Sequence, residues 1–202
     1  MHTIEFVTIE VDDVAEAEAF YAAAFDVSDR VRVRGAQEPS SGFRQFTLSL
    51  VVSQPATVRN VIDSATVAGA TVLKSPAKSL WGYGGIVQAP DGTIWTVASS
   101  SKKVAGPATR EIDEFVLQLG VTDVTASRQF YADRGFTVSK SYGRKYVELE
   151  TGTVALTLNN RAALAKTAGI PADGNGSHRL SIGSTAGDFA DPDGFIWKAP
   201  AG

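Results

Sequence analysis

Val11-Asp12-Asp13-Val14 leading to Phe20-Tyr21, and Val121-Thr122-Asp123-Val124 leading to Phe130-Tyr131, are one phrase written twice, with the same spacing from Asp13 to Tyr21 as from Asp123 to Tyr131. A second phrase, Ala89-Pro90-Asp91-Gly92-Thr93-Ile94-Trp95, returns near the C-terminus as Asp191-Pro192-Asp193-Gly194-Phe195-Ile196-Trp197. Two ordered matches about a hundred residues apart are the signature of an internal duplication, which constrains architecture more than any local propensity does. Between the copies lies a polar stretch, Ser99-Ser100-Ser101-Lys102-Lys103 through Gly106-Pro107, whose breakers suit a linker. The expected organisation is an N-terminal repeat over 1–100, a linker over 101–110 and a C-terminal repeat over 111–202.

Each repeat opens with strand-like alternation, Val7, Ile9 and Val11 in the first and Leu117, Leu119 and Val121 in the second. Asp13 and Asp123 then suit helix N-caps, because a short carboxylate can accept from the orphan amides of the first turn. Val14, Ala17, Phe20, Tyr21 and Ala24 follow at helical spacing, matched by Val124, Phe130 and Tyr131. Phe46, Leu48, Leu50 and Val52 alternate as a further strand, and Val58, Val61, Ile62, Ala65 and Ala68 read as a helix ended by Gly69. Pro-Asp-Gly before Thr93 and before Phe195 is turn chemistry, with Pro fixing φ and Gly supplying positive φ, so a hairpin is expected at each. Gly174-Asn175-Gly176 reads as a turn.

Composition bounds the function. The 202 residues are 44% hydrophobic and 20% charged, which is a globular chain with ample apolar content for a core. With 19 Lys and Arg against 22 Asp and Glu, the formal net charge of -3 gives no general attraction to nucleic acid or to an anionic membrane. There is no Cys, which removes disulfides, thiol nucleophiles and thiolate metal sites. No apolar run is long enough to span a bilayer and the opening residues lack a signal-peptide pattern, so a soluble, cytoplasmic protein is expected, as monomer or homodimer.

The helix closing on Phe-Tyr and the terminal Pro-Asp-Gly-x-x-Trp hairpin resemble the vicinal oxygen chelate superfamily, which includes glyoxalases, extradiol dioxygenases and bleomycin-resistance-type proteins. The resemblance spans most of both halves. It implies an α+β fold, a tandem repeat of glyoxalase-like domains built from βαβββ modules whose curved mixed sheets enclose a cleft. The spacing within each half leaves one module abbreviated. In the first, Arg30 to Gly42 is short for two extra strands. In the second, Gly183 to Phe189 is short for a helix.

Metal-dependent members of that superfamily use His, Gln or Glu on the first and last strands of each module. Carried onto this sequence, the first-strand positions are Phe6 and Val116 and the last-strand positions are Thr96 and Lys198. None is a good divalent-metal ligand. Gln45 is the one acceptable side chain on the strand before the second helix, with Ser177 nearest its counterpart. The resemblance therefore implies a metal-independent relative with no cofactor.

Alternation also divides the strands into faces. Opposite the helix-facing set lie Phe6, Thr8, Glu10, Gln45, Thr47, Ser49, Ile94 and Thr96 in the first half. The second half contributes Val116, Gln118, Gly120, Ser177, Arg179, Ser181, Ile196 and Lys198. Trp81 and Tyr83, in a Gly-rich stretch, are expected at the cleft rim, and Trp95 and Trp197 in the core. His178 shares the phase of Leu180 and Ile182, away from the cleft, and His2 sits at a terminus expected to fray. The expected ligand is a small organic molecule, with Thr8, Glu10, Gln45, Trp81, Tyr83, Thr96 and Gln118 lining its site and Arg179 and Lys198 suited to an anion. The alternative is a metal-dependent glyoxalase-like lyase or isomerase, its ion drawn from Glu5, Glu10, Gln45 or His178. A third reading, a scaffold protein, would show as a cleft filled by the chain's own side chains. A Ser-His-Asp hydrolase is disfavoured by the lack of a Gly-x-Ser-x-Gly elbow, and Glu148 with Glu150 reads as an edge-strand charge ladder beside Lys145.

Overall fold

Each copy of the repeated phrase folds as a strand running into a helix. The computed structural model describes residues 2–200. In it β1 (Ile4–Val11) leads to α1 (Val14–Ala24) and β8 (Glu114–Val121) to α3 (Val124–Asp133). The caps are those the carboxylates suggest. Asp13 accepts from the Glu16 amide, and Asp123 accepts from the amides of Thr125 and Ala126.

After α1 the chain adds β2 (Val31–Gly35) and β3 (Ser40–Gly42), then β4 (Phe46–Val51), α2 (Pro55–Val67), β5 (Thr71–Lys78), β6 (Tyr83–Gln88) and β7 (Ile94–Ser99). After α3 come β9 (Thr137–Ser141), β10 (Tyr146–Glu150), β11 (Val154–Asn160), α4 (Arg161–Ala168), β12 (Gly174–Gly176), β13 (Leu180–Ser184), β14 (Phe189–Ala190) and β15 (Ile196–Lys198). Among the described residues no helix is long and apolar enough to cross a membrane.

Two βαβββ units, β4-α2-β5-β6-β7 and β8-α3-β9-β10-β11, join through the antiparallel pair β4–β8. Together they make an eight-stranded mixed sheet in the order β5-β6-β7-β4-β8-β11-β10-β9. A five-stranded sheet, β14-β15-β13-β1-β2, is joined through the antiparallel pair β1–β13. Each sheet thus draws strands from both sequence halves, and residues 100–113 between β7 and β8 carry no regular structure.

The helix-facing sides of both sheets share one core that includes Val7, Ile9, Leu48, Trp95, Leu117, Leu156, Ile182 and Trp197. The repeated phrases lock this core together. Tyr21 and Phe25, following β1 of the five-stranded sheet, pack on Trp95 of the eight-stranded one, with centroids 5.6 and 4.5 Å away. Tyr131, following β8 of the eight-stranded sheet, packs on Trp197 of the other at 5.5 Å. Both Trp residues are fully buried, as their matching phases require.

Two local readings change. Gly174–Gly176 is not a turn but a short strand paired antiparallel with Ser40–Gly42, a match that glycine-rich sequence cannot announce because it rests on a distant partner. Gly42 has φ +71, and a Cβ there would sit 2.4 Å from the Asp173 carbonyl oxygen, so the ribbon needs glycine. His2 is held rather than frayed: its Nε2 lies 2.9 Å from the Arg134 carbonyl and its ring packs on Phe136 at 5.0 Å.

Candidate functional site

The inner face of the eight-stranded sheet is the side opposite α2 and α3. Register sets its centre. Thr47 lies opposite Gln118, which lies beside Thr157, and Ser49 lies between Thr96 and Val116. Thr47 donates to Gln118 Oε1 at 2.9 Å, and Asn159 Nδ2 donates to Thr157 Oγ1 at 2.9 Å. This centre offers hydroxyls and the two amides of Gln118 and Asn159 where a divalent ion would need imidazole or carboxylate donors. Among the described residues no three His, Cys, Asp or Glu side chains group so as to hold an ion. The donor set does not fit the divalent metal that a glyoxalase-type site would hold.

Over this centre lies α4. Asn160 caps it by accepting from the Ala163 amide at 3.1 Å, and Gly169 ends it in the left-handed region with φ 78. Leu164, Ala165 and Ala168 pack with Phe43, Ile86 and Ile94 in a second small apolar cluster, separate from the main core. The Lys74 ammonium, from β5, donates to the Thr167 carbonyl in the last turn of α4, where the helix dipole favours a cation. Gly120 permits the close approach, since a Cβ there would lie 3.2 Å from Arg161 Cα.

The helix leaves open space beside it. A groove of about 440 Å³ is bordered by Lys74, Ala77, Trp81, Gly84, Ile86, Thr96, Ala98 and Thr167. A smaller cavity of about 160 Å³ is bordered by Thr47, Thr96, Gln118, Lys145, Asn159, Leu164 and Thr167. Thr96 and Thr167 border both. Trp81, at the tip of the β5–β6 hairpin, is 85% exposed at the groove mouth. Tyr83 borders the groove, but its hydroxyl is spent on the Pro76 carbonyl and is met by Arg59 of α2 at 3.3 Å, on the helix side. A third cavity, about 290 Å³, lies by Phe43, Arg44, Ile94 and Ile170.

The structure therefore brings Trp81, Thr96 and Gln118 to one face. Thr8, Glu10 and Lys198 lie on the other sheet, and the single cleft face expected from the alternation is two faces. Alternation gives each strand's phase but not which sheet it joins. On the five-stranded sheet Thr8 pairs with Ser181 and Phe6 with Gly183, which in turn lies beside Lys198. That surface is covered by its own side chains. The Arg32 guanidinium lies 3.4 Å above the Phe6 ring, Arg34 pairs with Glu10, and Lys198 pairs with Asp188 at 3.0 Å. Arg179 reaches Asp12 at 2.9 Å, and that hydrogen bond and charge hold the Asp12 carboxyl below the usual Asp range. Both cations suited to an anion thus already have carboxylate partners.

Gln45 precedes β4 with φ 65, and its carbonyl accepts from the Gly120 amide, so its backbone is what the site uses. His178 stacks on Phe195 at 4.1 Å, with Nδ1 3.0 Å from the Arg44 carbonyl and Nε2 2.9 Å from that of Asp193. Its role is to tie two turns. Glu5 is exposed on the bulged end of β1. Glu148 pairs with Lys140 at 3.3 Å on the β9–β10 edge, as a charge ladder would. Sequence reasoning missed α4 and Lys74, and it set Lys145 beside the charge ladder, whereas Lys145 borders the inner cavity and Lys140 makes the pair with Glu148. The only signals for α4 were Asn160 as cap, the Ala-rich run and Gly169.

No family profile matches the chain, and no curated protein sequence does. Solved structures do. Glyoxalase I from Zea mays superposes with a TM-score of 0.61 at 15% identity, covering 98% of this chain and 91% of that one. A proposed dioxygenase from Bacillus subtilis gives 0.54 at 12% identity, covering 89% of this chain and 69% of that one. At such identities the likeness is one of fold.

Proposed function

Starting from the vicinal oxygen chelate fold of this chain, we propose that it binds a small organic molecule without a metal ion, in the groove between α4 and the β5–β6–β7 edge of the larger sheet. The observation that carries this reading is the chemistry of the inner face. Its centre presents Thr47, Thr96, Gln118 and Thr157 in place of ion ligands, and α4 lies over it. What stays open is a largely apolar groove of about 440 Å³, a size in the range of ligand sites. Its floor of Gly84, Ala98 and Ala77 is flat because the side chains are small, and Trp81 stands exposed at the mouth to cover an aromatic or planar guest.

The competing lyase or isomerase reading requires a metal assembled from Glu5, Glu10, Gln45 or His178. Glu10 is taken by Arg34 and His178 by two carbonyls, so it has no support from these residues. The seat of α4 over the centre is what favours a scaffold role instead. The same experiment separates the two. In a protein-observed NMR fragment screen, planar fragments are expected to shift Trp81, Gly84, Thr96, Ala98 and Thr167 together. A screen whose shifts never reach those residues would reject the groove in favour of a scaffold.

A further inference from the structure

The larger groove and the smaller cavity meet at Thr96 and Thr167, and their polarity is graded along that line. The outer part is floored by small apolar residues. The inner part is lined by Thr47, Gln118, Asn159 and Lys145. No Asp or Glu borders either, whereas Lys74 and Lys78 border the groove and Lys145 the inner cavity, in a chain whose net charge is -3. Among the described residues the Lys145 ammonium joins none of the ion pairs. Lys74 spends one of its three hydrogens on the Thr167 carbonyl. Because Thr47 donates to Gln118 Oε1, the Gln118 amide keeps its N–H donors for a guest.

From this distribution we propose that the ligand is an amphipathic monoanion. Its flat apolar body lies on the Gly84–Ala98 floor beneath Trp81, and its carboxylate points past Thr96 to the Lys145 ammonium and the Gln118 amide. The proposal rests on the groove reading above and adds the ligand's charge and the residue that selects it. A carboxylate accepts at both oxygens and matches a lining that holds lysines and no carboxylate, whereas a cation would find no counter-charge among those lining residues. Lys145 is exposed at the edge of the β9–β10 turn, so replacing it leaves the core untouched.

Calorimetric titration of the full chain with a naphthoate and with its uncharged amide tests this. The naphthoate is expected to bind about five- to tenfold tighter than the amide at low salt, the advantage of a partly solvated charge-assisted contact. Lys145→Gln should erase most of that preference, while Trp81→Ala should weaken both compounds alike. Equal affinity for the two compounds would overturn the anion assignment and leave the groove standing. Failure of both to bind would overturn the groove and the assignment together.

Discussion

Tyr131 donates its hydroxyl to Asp191 at 2.6 Å inside the core, where the same carboxylate also accepts from the amides of Asp193 and Phe195. Burial pushes the Asp191 carboxyl above the usual Asp range even though these donors act the other way, and burial beside that charge pushes the Tyr131 phenol up. Tyr21 makes the matching bond to Asp91. Tyr131→Phe would strip one donor from a buried carboxylate and should cost about 1.5–3 kcal/mol, read from the denaturant midpoint at neutral pH. The bond from Tyr131 opposes the rise that burial imposes on Asp191, so its contribution is full while that carboxyl is ionised and is lost as pH falls through the raised folded value; the variant's deficit should be smaller at acid pH than at neutral pH. A deficit that is the same at both pH values would show that the bond to the charged carboxylate is not what Tyr131 contributes. The Tyr and Pro-Asp-Gly phrases were legible as a repeat, but the acid that meets each Tyr was not. It is the turn Asp in one half and lies two positions earlier in the other, a choice made by how each turn sits under its helix.

At the scale of elements, α4 decides what the inner face can do. It has eight residues, and a helix that short is marginal by itself. Only Leu164 among its side chains is both large and apolar, so no amphipathic stripe marked it, and packing on Phe43, Ile86 and Ile94 supplies what propensity does not. Longer periodic elements were readable for the opposite reason. α1 and α2 each bury several residues at regular spacing, and their burial follows the pattern of the sequence. Gly120→Ala should test how α4 is seated. The new methyl would meet the Gln45 carbonyl at 2.9 Å and Arg161 Cα at 3.2 Å, both backbone, so the helix must lift. The expected result is faster amide exchange over 161–168 with the sheet strands still protected, for an overpacking cost of about 1–3 kcal/mol. Unchanged protection of those residues would mean that α4 is not pinned by this approach.

The molecule as a whole is built by exchange between its halves. Each sheet takes strands from both copies, and each copy's helix closes on the other sheet, through Tyr21 to Asp91 and through Tyr131 to Asp191. This is why face assignments made strand by strand placed Thr8, Glu10, Arg179 and Lys198 with Thr96 and Gln118. Alternation is a property of one strand, while sheet membership is set by pairings such as β4 with β8 that no local pattern encodes. The positions counted from the repeated phrases were divided in the same way: Val116 and Thr96 lie on the eight-stranded sheet, and Phe6 and Lys198 on the other. The account turns on the centre of the inner face, Thr47, Ser49, Thr96, Gln118 and Thr157, having no imidazole or carboxylate donor for a divalent ion. Purified chain should therefore be incubated with excess zinc, nickel, manganese or iron(II) salt, desalted and assayed by plasma mass spectrometry. Far less than one equivalent of any metal per chain is predicted, and one retained equivalent that disappears in Gln118→Ala would contradict the account.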